Sequence, residues 1–319
     1  MRFLPTAEQT EFARTLRSLL AAAEVPATVR AWADGDHGPG RALWARLAET
    51  GLWGLAAPDE GAYPVEAALG FVELGRAGVA GPVVETAAAC VLLAEVGDAT
   101  LAKRYLAALA GGGASATLTL PGGSPYALDA DAATYRFAVS AEGELRLVEG
   151  AGEGLASLDP ARRLSVLPAG GELLAAGPEV TAAAETALRW ARLLTAAQCL
   201  GVGEALLART VEYAKQRTQF GTPIGGFQAV KHRLADTLLA LEFARPLLWA
   251  AALSLRPTEV AASKLTAGEA AYGAALTALQ LHGAIGYTEE LDLSVWLRKA
   301  RPLRNAWGTP AACRRAVLG

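Results

Sequence analysis

Two segments near the C-terminal end hold the residue types best suited to chemistry. The first runs Tyr213-Ala214-Lys215-Gln216-Arg217-Thr218-Gln219-Phe220-Gly221-Thr222-Pro223-Ile224-Gly225-Gly226-Phe227-Gln228. Gly221, Pro223, Gly225 and Gly226 stop one helical pattern, and another starts near Phe227. Arg217 offers a planar charged fork that suits a phosphate, with the Gln219 amide beside it. The plain alternative is a helix–helix loop with a surface arginine. The second segment is Gln280-Leu281-His282-Gly283-Ala284-Ile285-Gly286-Tyr287. Gly283 and Gly286 let the backbone approach a ligand, so that N–H groups can cradle a pyrophosphate. Gly283 reads equally well as the glycine that closes a helix. Glu289 and Glu290 follow, placed as acids that complement a helix N-terminus. Cys90, Cys199 and Cys313 are far apart, as are His37, His232 and His282, so neither a disulfide framework nor a metal site is expected.

These segments need a scaffold, and the composition allows a large one. The chain has 319 residues, 52% apolar and 19% charged, with a mean hydropathy of +0.26. It is long enough for two or three structural units and too apolar to be disordered. Twenty-nine basic against 32 acidic residues leave a net charge of −3, the wrong balance for a nucleic-acid binder. The absence of a long uncharged apolar stretch argues against a membrane span. Glu8 and Glu11 come too early for a secretory signal, so a cytoplasmic location is expected.

Residues 1–113 read as helical. Thr6-Ala7-Glu8-Gln9 has the form of a capping box, followed by Phe12, Leu16, Leu19 and Leu20 at helical spacing. Further helices are expected at Arg41–Leu52, Val65–Arg76, Val83–Val96 and Leu101–Ala110, with a turn and an extended entry over Gly51–Pro58. Residues 114–177 change character. Thr117–Leu120, Tyr135–Val139, Leu145–Val148 and Leu164–Leu167 read as strands, with a turn at Glu142-Gly143. Residues 178–319 return to long helices: Thr181–Arg217, broken near Gly201 and Gly203, then Phe227–Leu255, Val260–His282 and Leu291–Arg301. Four long helices with short connections predict an antiparallel bundle. The expected fold is therefore mainly α with a small β module, as three domains over 1–113, 114–177 and 178–319.

Together, at this order and separation, the two C-terminal segments resemble the acyl-CoA dehydrogenase family, whose bundle carries Arg-x-x-Phe-Gly and then Gln-x-x-Gly-Gly-x-Gly. The likeness extends along the chain. Leu52-Trp53-Gly54-Leu55 with Pro58-Asp59-Glu60-Gly61 looks like the family's first-domain turn. Ser157–Leu164 resembles the end of its β domain, and Leu234-Ala235-Asp236 follows Gln228 as in the family's helix. The resemblance implies a fold of helices, β domain and four-helix bundle. It implies FAD, an acyl-CoA substrate and α,β-dehydrogenation: a Glu removes the α-proton while the β-hydride goes to the flavin. It implies that the two segments contact FAD held mainly by a neighbouring subunit. Carried over, Arg217, Gln219, Phe220, Gln228, Gln280, Gly283, Ala284 and Thr309 are the cofactor candidates, with Ala284 standing where the family has a second glycine.

The base is missing. Where many members carry Tyr-Glu-Gly-Thr, this chain reads Ala306-Trp307-Gly308-Thr309, and the Trp307 indole nitrogen is a donor only. Other members place the base on the helix before Arg217; aligning Gly201 with the glycine of that helix puts Ala191 there, followed by Arg192. Glu290 is the nearest substitute acid. Residues 114–177 also lack the family's Thr-Glu-Pro and Trp-Ile-Ser strands that line the flavin, Thr117–Pro121 being the nearest remnant. Both losses resemble the short, base-lacking subunit of heteromeric bacterial acyl-CoA dehydrogenases, including those acting on steroid side chains. Gly286-Tyr287-Thr288-Glu289-Glu290-Leu291-Asp292-Leu293 resembles the same type. The expected partners are then an acyl-CoA, a longer acyl-CoA dehydrogenase chain in a heterotetramer or else a second copy in a homodimer, and an electron-transfer flavoprotein. The alternatives are a self-sufficient dehydrogenase using Glu290, and a non-redox acyl-CoA binder or scaffold that kept the fold.

Overall fold

The computed structural model describes residues 4–56 and 61–319. The expected turn at Pro58-Asp59-Glu60 lies outside the described residues. Helix α1 (Ala7–Ala21) opens on the expected capping box: Thr6 accepts from the Gln9 amide, and the Gln9 side chain returns to the Thr6 N–H. A second helix, α2 (Val25–Ala33), has no counterpart in the sequence reading. Pro26 looks like a breaker but sits in the first turn, where its missing N–H costs nothing. Helix α3 (Gly38–Ala48) ends sooner than expected, because Gly51 turns the chain at φ +76°. Leu52–Ala56 then forms a 3-10 turn, not an extended entry. Helices α4 (Pro64–Ala77) and α5 (Val83–Glu95) are the buried centre of this half. Ala99–Ala110 completes it as α6 (Ala99–Leu101), one π-helical stretch and α7 (Ala107–Ala110).

The β module holds two small sheets. One orders its strands β1 (Ala116–Thr119), β3 (Tyr135–Val139), β4 (Glu144–Leu147) and β7 (Glu172–Ala176); β1 and β3 run parallel and the rest antiparallel. The other orders β2 (Ala127–Leu128), β6 (Leu164–Val166) and β5 (Glu153–Leu155). The β3–β4 hairpin turns at Gly143 with φ +76°. Buried charges fasten the module to both helical parts. Lys299 of α11 (Leu293–Asn305) pairs with Asp159 at 3.1 Å, both nearly inaccessible. Arg163 donates to the Trp32 carbonyl at 2.6 Å. Asp129, just after β2, exchanges bonds with the Arg163 backbone: its N–H donates to the carbonyl at 2.6 Å and its Oδ1 accepts from the amide at 3.0 Å. Burial pushes the Asp129 carboxyl up to about 7, with Arg163 and its amide pulling back.

Helix α8 (Pro178–Gln216) is unbroken over 39 residues, against the expected interruption at Gly201 and Gly203. Those glycines serve close packing. A Cβ on Gly201 would stand 1.9 Å from the Val72 carbonyl oxygen of α4, and one on Gly203 would stand 2.5 Å from Leu241. A β-hairpin, β8 (Thr218–Gln219) and β9 (Thr222–Pro223), leads to α9 (Gln228–Ser254), then α10 (Pro257–His282), a 3-10 turn (Gly283–Tyr287) and α11. An unexpected last helix, α12 (Pro310–Leu318), is capped by Thr309 and packs on α10. By length and composition α8 and α9 could each cross a membrane, but 83% of the apolar window of α8 is buried inside the fold. Leu238, Leu239 and Phe243 of α9 stay exposed.

Two outcomes follow. Gly201→Ala forces side-chain carbon into backbone and lowers unfolding free energy by about 3 kcal/mol in urea titration. Asp129 is raised from 3.8 to about 7 on folding, so its contribution is full below pH 4 and is lost as pH rises through 7. Wild-type stability relative to Asp129→Asn therefore falls by on the order of 4 kcal/mol across that window.

Candidate active site and cofactor-binding face

The loop between α11 and α12 carries Trp307 in the left-handed region, φ +58°. Two cationic side chains grip the loop backbone. Arg192 Nε donates to the Trp307 carbonyl at 2.9 Å, and its Nη2 reaches the Gly122 carbonyl at 3.3 Å. Lys264, 1% exposed on α10, donates to the carbonyls of Arg304 at 2.9 Å and Gly308 at 3.4 Å. Burial holds the Lys264 ammonium below its usual range. So fixed, the Trp307 side chain is buried and its indole Nε1–H donates to Glu85 Oε1 at 3.0 Å.

Glu85 lies in the first turn of α5 and is 3% exposed. Burial raises its pKa, while Arg162 and the indole N–H pull it down. Glu85, Arg162, Ser124 and Thr309 line a cavity of about 530 Å3 with Trp307 and the Gly122-Gly123 turn. Ala191 is fully buried in α8 and does not line it. Glu290 is exposed beyond the 3-10 turn and does not line it either. Sequence reasoning missed Glu85. Its signal was a lone acid in Val83–Leu93, an otherwise apolar helical run.

The remaining candidates gather at the other end of the bundle. Arg217 caps α8, and Phe220 and Gly221 turn the β8–β9 hairpin at φ +53° and +76°. Arg217, Gln219 and Gln228 are exposed, and Phe220 is 93% exposed. Tyr213 stacks on His282 with ring centroids 4.1 Å apart and donates to its carbonyl at 3.4 Å. The His282 ring bonds the Ala278 carbonyl through Nδ1 at 2.8 Å, and burial lowers its pKa. This stack sets the last turns of α8 and α10 side by side. Gly283 has φ +64° and open space where a side chain would stand; Ala284 beside it is exposed. Gln280 lines an open groove of about 960 Å3 with Arg233, Asp236, Phe243 and Tyr287.

Among the described residues Arg217 makes no ion pair. An exposed, unpaired fork suits the phosphates of a dinucleotide, whereas the Gly283 N–H donates to the Leu279 carbonyl and so closes α10 instead of standing free to cradle a phosphate. The ring end is served less well: residues 114–177 hold no tryptophan, and a Cβ on Gly123 would meet Trp307 at 3.0 Å. The two groups of residues are also far apart. Arg192 touches the Trp307 loop and Arg217 ends the same helix, about 38 Å further along at 1.5 Å per residue.

The order of helical half, β module and bundle is that of the acyl-CoA dehydrogenases, and the chain belongs to that family. The family model for the acyl-CoA dehydrogenase N-terminal domain matches residues 6–113, and that for the C-terminal domain matches 181–318. The chain is 36% identical over 304 residues to acyl-CoA dehydrogenase IpdE2 of Mycobacterium tuberculosis, covering 93% of this chain and 92% of that one. Its fold superposes on butyryl-CoA dehydrogenase from Megasphaera elsdenii with a TM-score of 0.84 at 22% identity, covering 100% and 99% of the two chains. It also superposes on the Tcur3481-Tcur3483 steroid ACAD G363A variant with a TM-score of 0.80 at 24% identity, covering 97% and 96%.

Removing the indole N–H leaves a buried carboxyl oxygen without its donor. Trp307→Phe is expected to lower unfolding free energy by about 2 kcal/mol in chemical denaturation. The drop is expected to shrink when Glu85→Met is made in the same chain, because the stranded group is then gone.

Proposed function

We propose that this chain is the short subunit of a two-chain, FAD-dependent acyl-CoA dehydrogenase, in which the longer chain supplies the catalytic base. The observation that carries the reading is the separation along α8. A single dinucleotide is shorter than the roughly 38 Å of helix between the Trp307 loop and Arg217, so Arg217 serves the cofactor of a neighbouring chain. The exposed apolar residues Phe220 and Phe243 on the same side favour a protein neighbour there. The paired designation of the steroid relative supports a two-chain assembly.

In this reading Arg217 and Gln219 hold the pyrophosphate, with the backbone of Gly283 and Ala284 beside it. Phe220, Gln228 and Gln280 complete that face. FAD, when bound, accepts the β-hydride of the acyl thioester. This chain's own cavity at Trp307 and Thr309 takes an acyl group, but Trp307 and Ala191 leave both of the family's base positions empty. An electron-transfer flavoprotein would serve as the electron acceptor of such an assembly. The assembly works in the cytoplasm, on a bulky acyl group such as a steroid side chain.

The test is Arg217→Ala in this chain, co-expressed with a longer acyl-CoA dehydrogenase chain. A lost charge-assisted phosphate contact weakens FAD retention about tenfold to a hundredfold, read as flavin absorbance after gel filtration. Unchanged flavin content contradicts the reading.

A further inference from the structure

Glu85 is not explained by cofactor binding or by packing. It is a carboxyl group 3% exposed, placed in an apolar helix and on the wall of the 530 Å3 cavity. Oε1 accepts from the Trp307 indole at 3.0 Å. Among the described residues, no other residue donates to Oε2, although the Glu85 backbone N–H also acts on the carboxyl. A carboxyl oxygen that takes no donor from another residue can accept one from a ligand, and a ligand hydroxyl that supplies it gains a hydrogen bond in a water-poor site.

We propose that Glu85 is a specificity-determining residue that selects an acyl thioester bearing a hydroxyl group on its acyl portion. The proposal rests on the acyl-thioester reading of this cavity. It adds a requirement that neither the family nor the cofactor imposes: hydrocarbon alone does not satisfy this wall. The indole fixes the carboxyl orientation by holding one oxygen, and the other faces the ligand space. A hydroxyl fits in either charge state of Glu85. It donates to the carboxylate, and it accepts from the carboxylic acid that burial favours. A ketone pairs only with the acid, and a methyl group pairs with neither. The rest of the lining agrees in kind, since Ser124, Tyr126, Asn305 and Thr309 give the cavity further hydroxyl and amide groups.

The experiment uses the assembled protein and titrates hexanoyl-CoA against 4-, 5- and 6-hydroxyhexanoyl-CoA by calorimetry, with tryptophan fluorescence as a second readout. Trp307 lies at the site, so its emission reports occupancy without turnover. At least one hydroxy thioester is expected to bind about tenfold or more tightly than hexanoyl-CoA. That ratio is expected to fall to about one in Glu85→Met, which keeps the volume and removes both oxygens, and to survive in Glu85→Gln, which keeps an acceptor and gains a donor. Equal binding of all four thioesters by the wild type overturns the role of Glu85 alone. So does a preference that persists in Glu85→Met. Binding of none of them overturns both this inference and the acyl reading of the cavity.

Discussion

Everything distinctive here depends on one backbone-to-backbone contact, the mutual approach of α4 and α8. Gly75 and Gly201 face each other's helices so closely that a methyl group on either would collide with a carbonyl oxygen, 2.2 Å from Gln198 in one case and 1.9 Å from Val72 in the other. Two glycines in helix interiors cost conformational entropy. Here they let the N-terminal half lie against the middle of α8, with α5 packed beside it. Because α8 does not bend at Gly201, it carries the chain straight from the Trp307 loop to Arg217. The length of that one helix is what splits the functional residues into two groups.

The first group is an electrostatic cage built around a missing acid. Arg192 and Lys264 bond to carbonyls of the 304–308 loop, and Arg162 acts on Glu85 from across the cavity. Neutral carbonyl dipoles satisfy cations well enough to keep Lys264 buried without a carboxylate. The loop is thus held as firmly as a catalytic loop needs to be, while its central side chain is an indole. What Glu85 gains from that indole is orientation. The second group has the opposite character: Arg217, Gln219, Phe220 and Gln228 are exposed, and Arg217 makes no ion pair among the described residues.

The amphipathic spacing of α1, the apolar runs of α4 and α5 and the alternation in β3 and β4 were legible in the sequence, because burial on one side writes a period into the residues. Arg217 and Gly283 were legible as a pair because their order and types carry a motif; the approach of the helix ends that carry them was not, since it depends on the Tyr213–His282 stack, 69 residues apart in sequence. Gly201 and Gly203 misled, because a glycine that permits close packing looks the same in sequence as one that breaks a helix. Helix α2 was hidden by Pro26, and α12 by its short length. Glu85 was in plain view as an acid among apolar residues, but its partner lies 222 positions away.

The most direct measurement is the visible spectrum of this chain purified alone, taken together with its mass in solution. Under the proposed two-chain arrangement, the chain is predicted to be a colourless oligomer that turns yellow only with the longer chain. A yellow protein with about one flavin per chain, in the absence of any partner, contradicts the account.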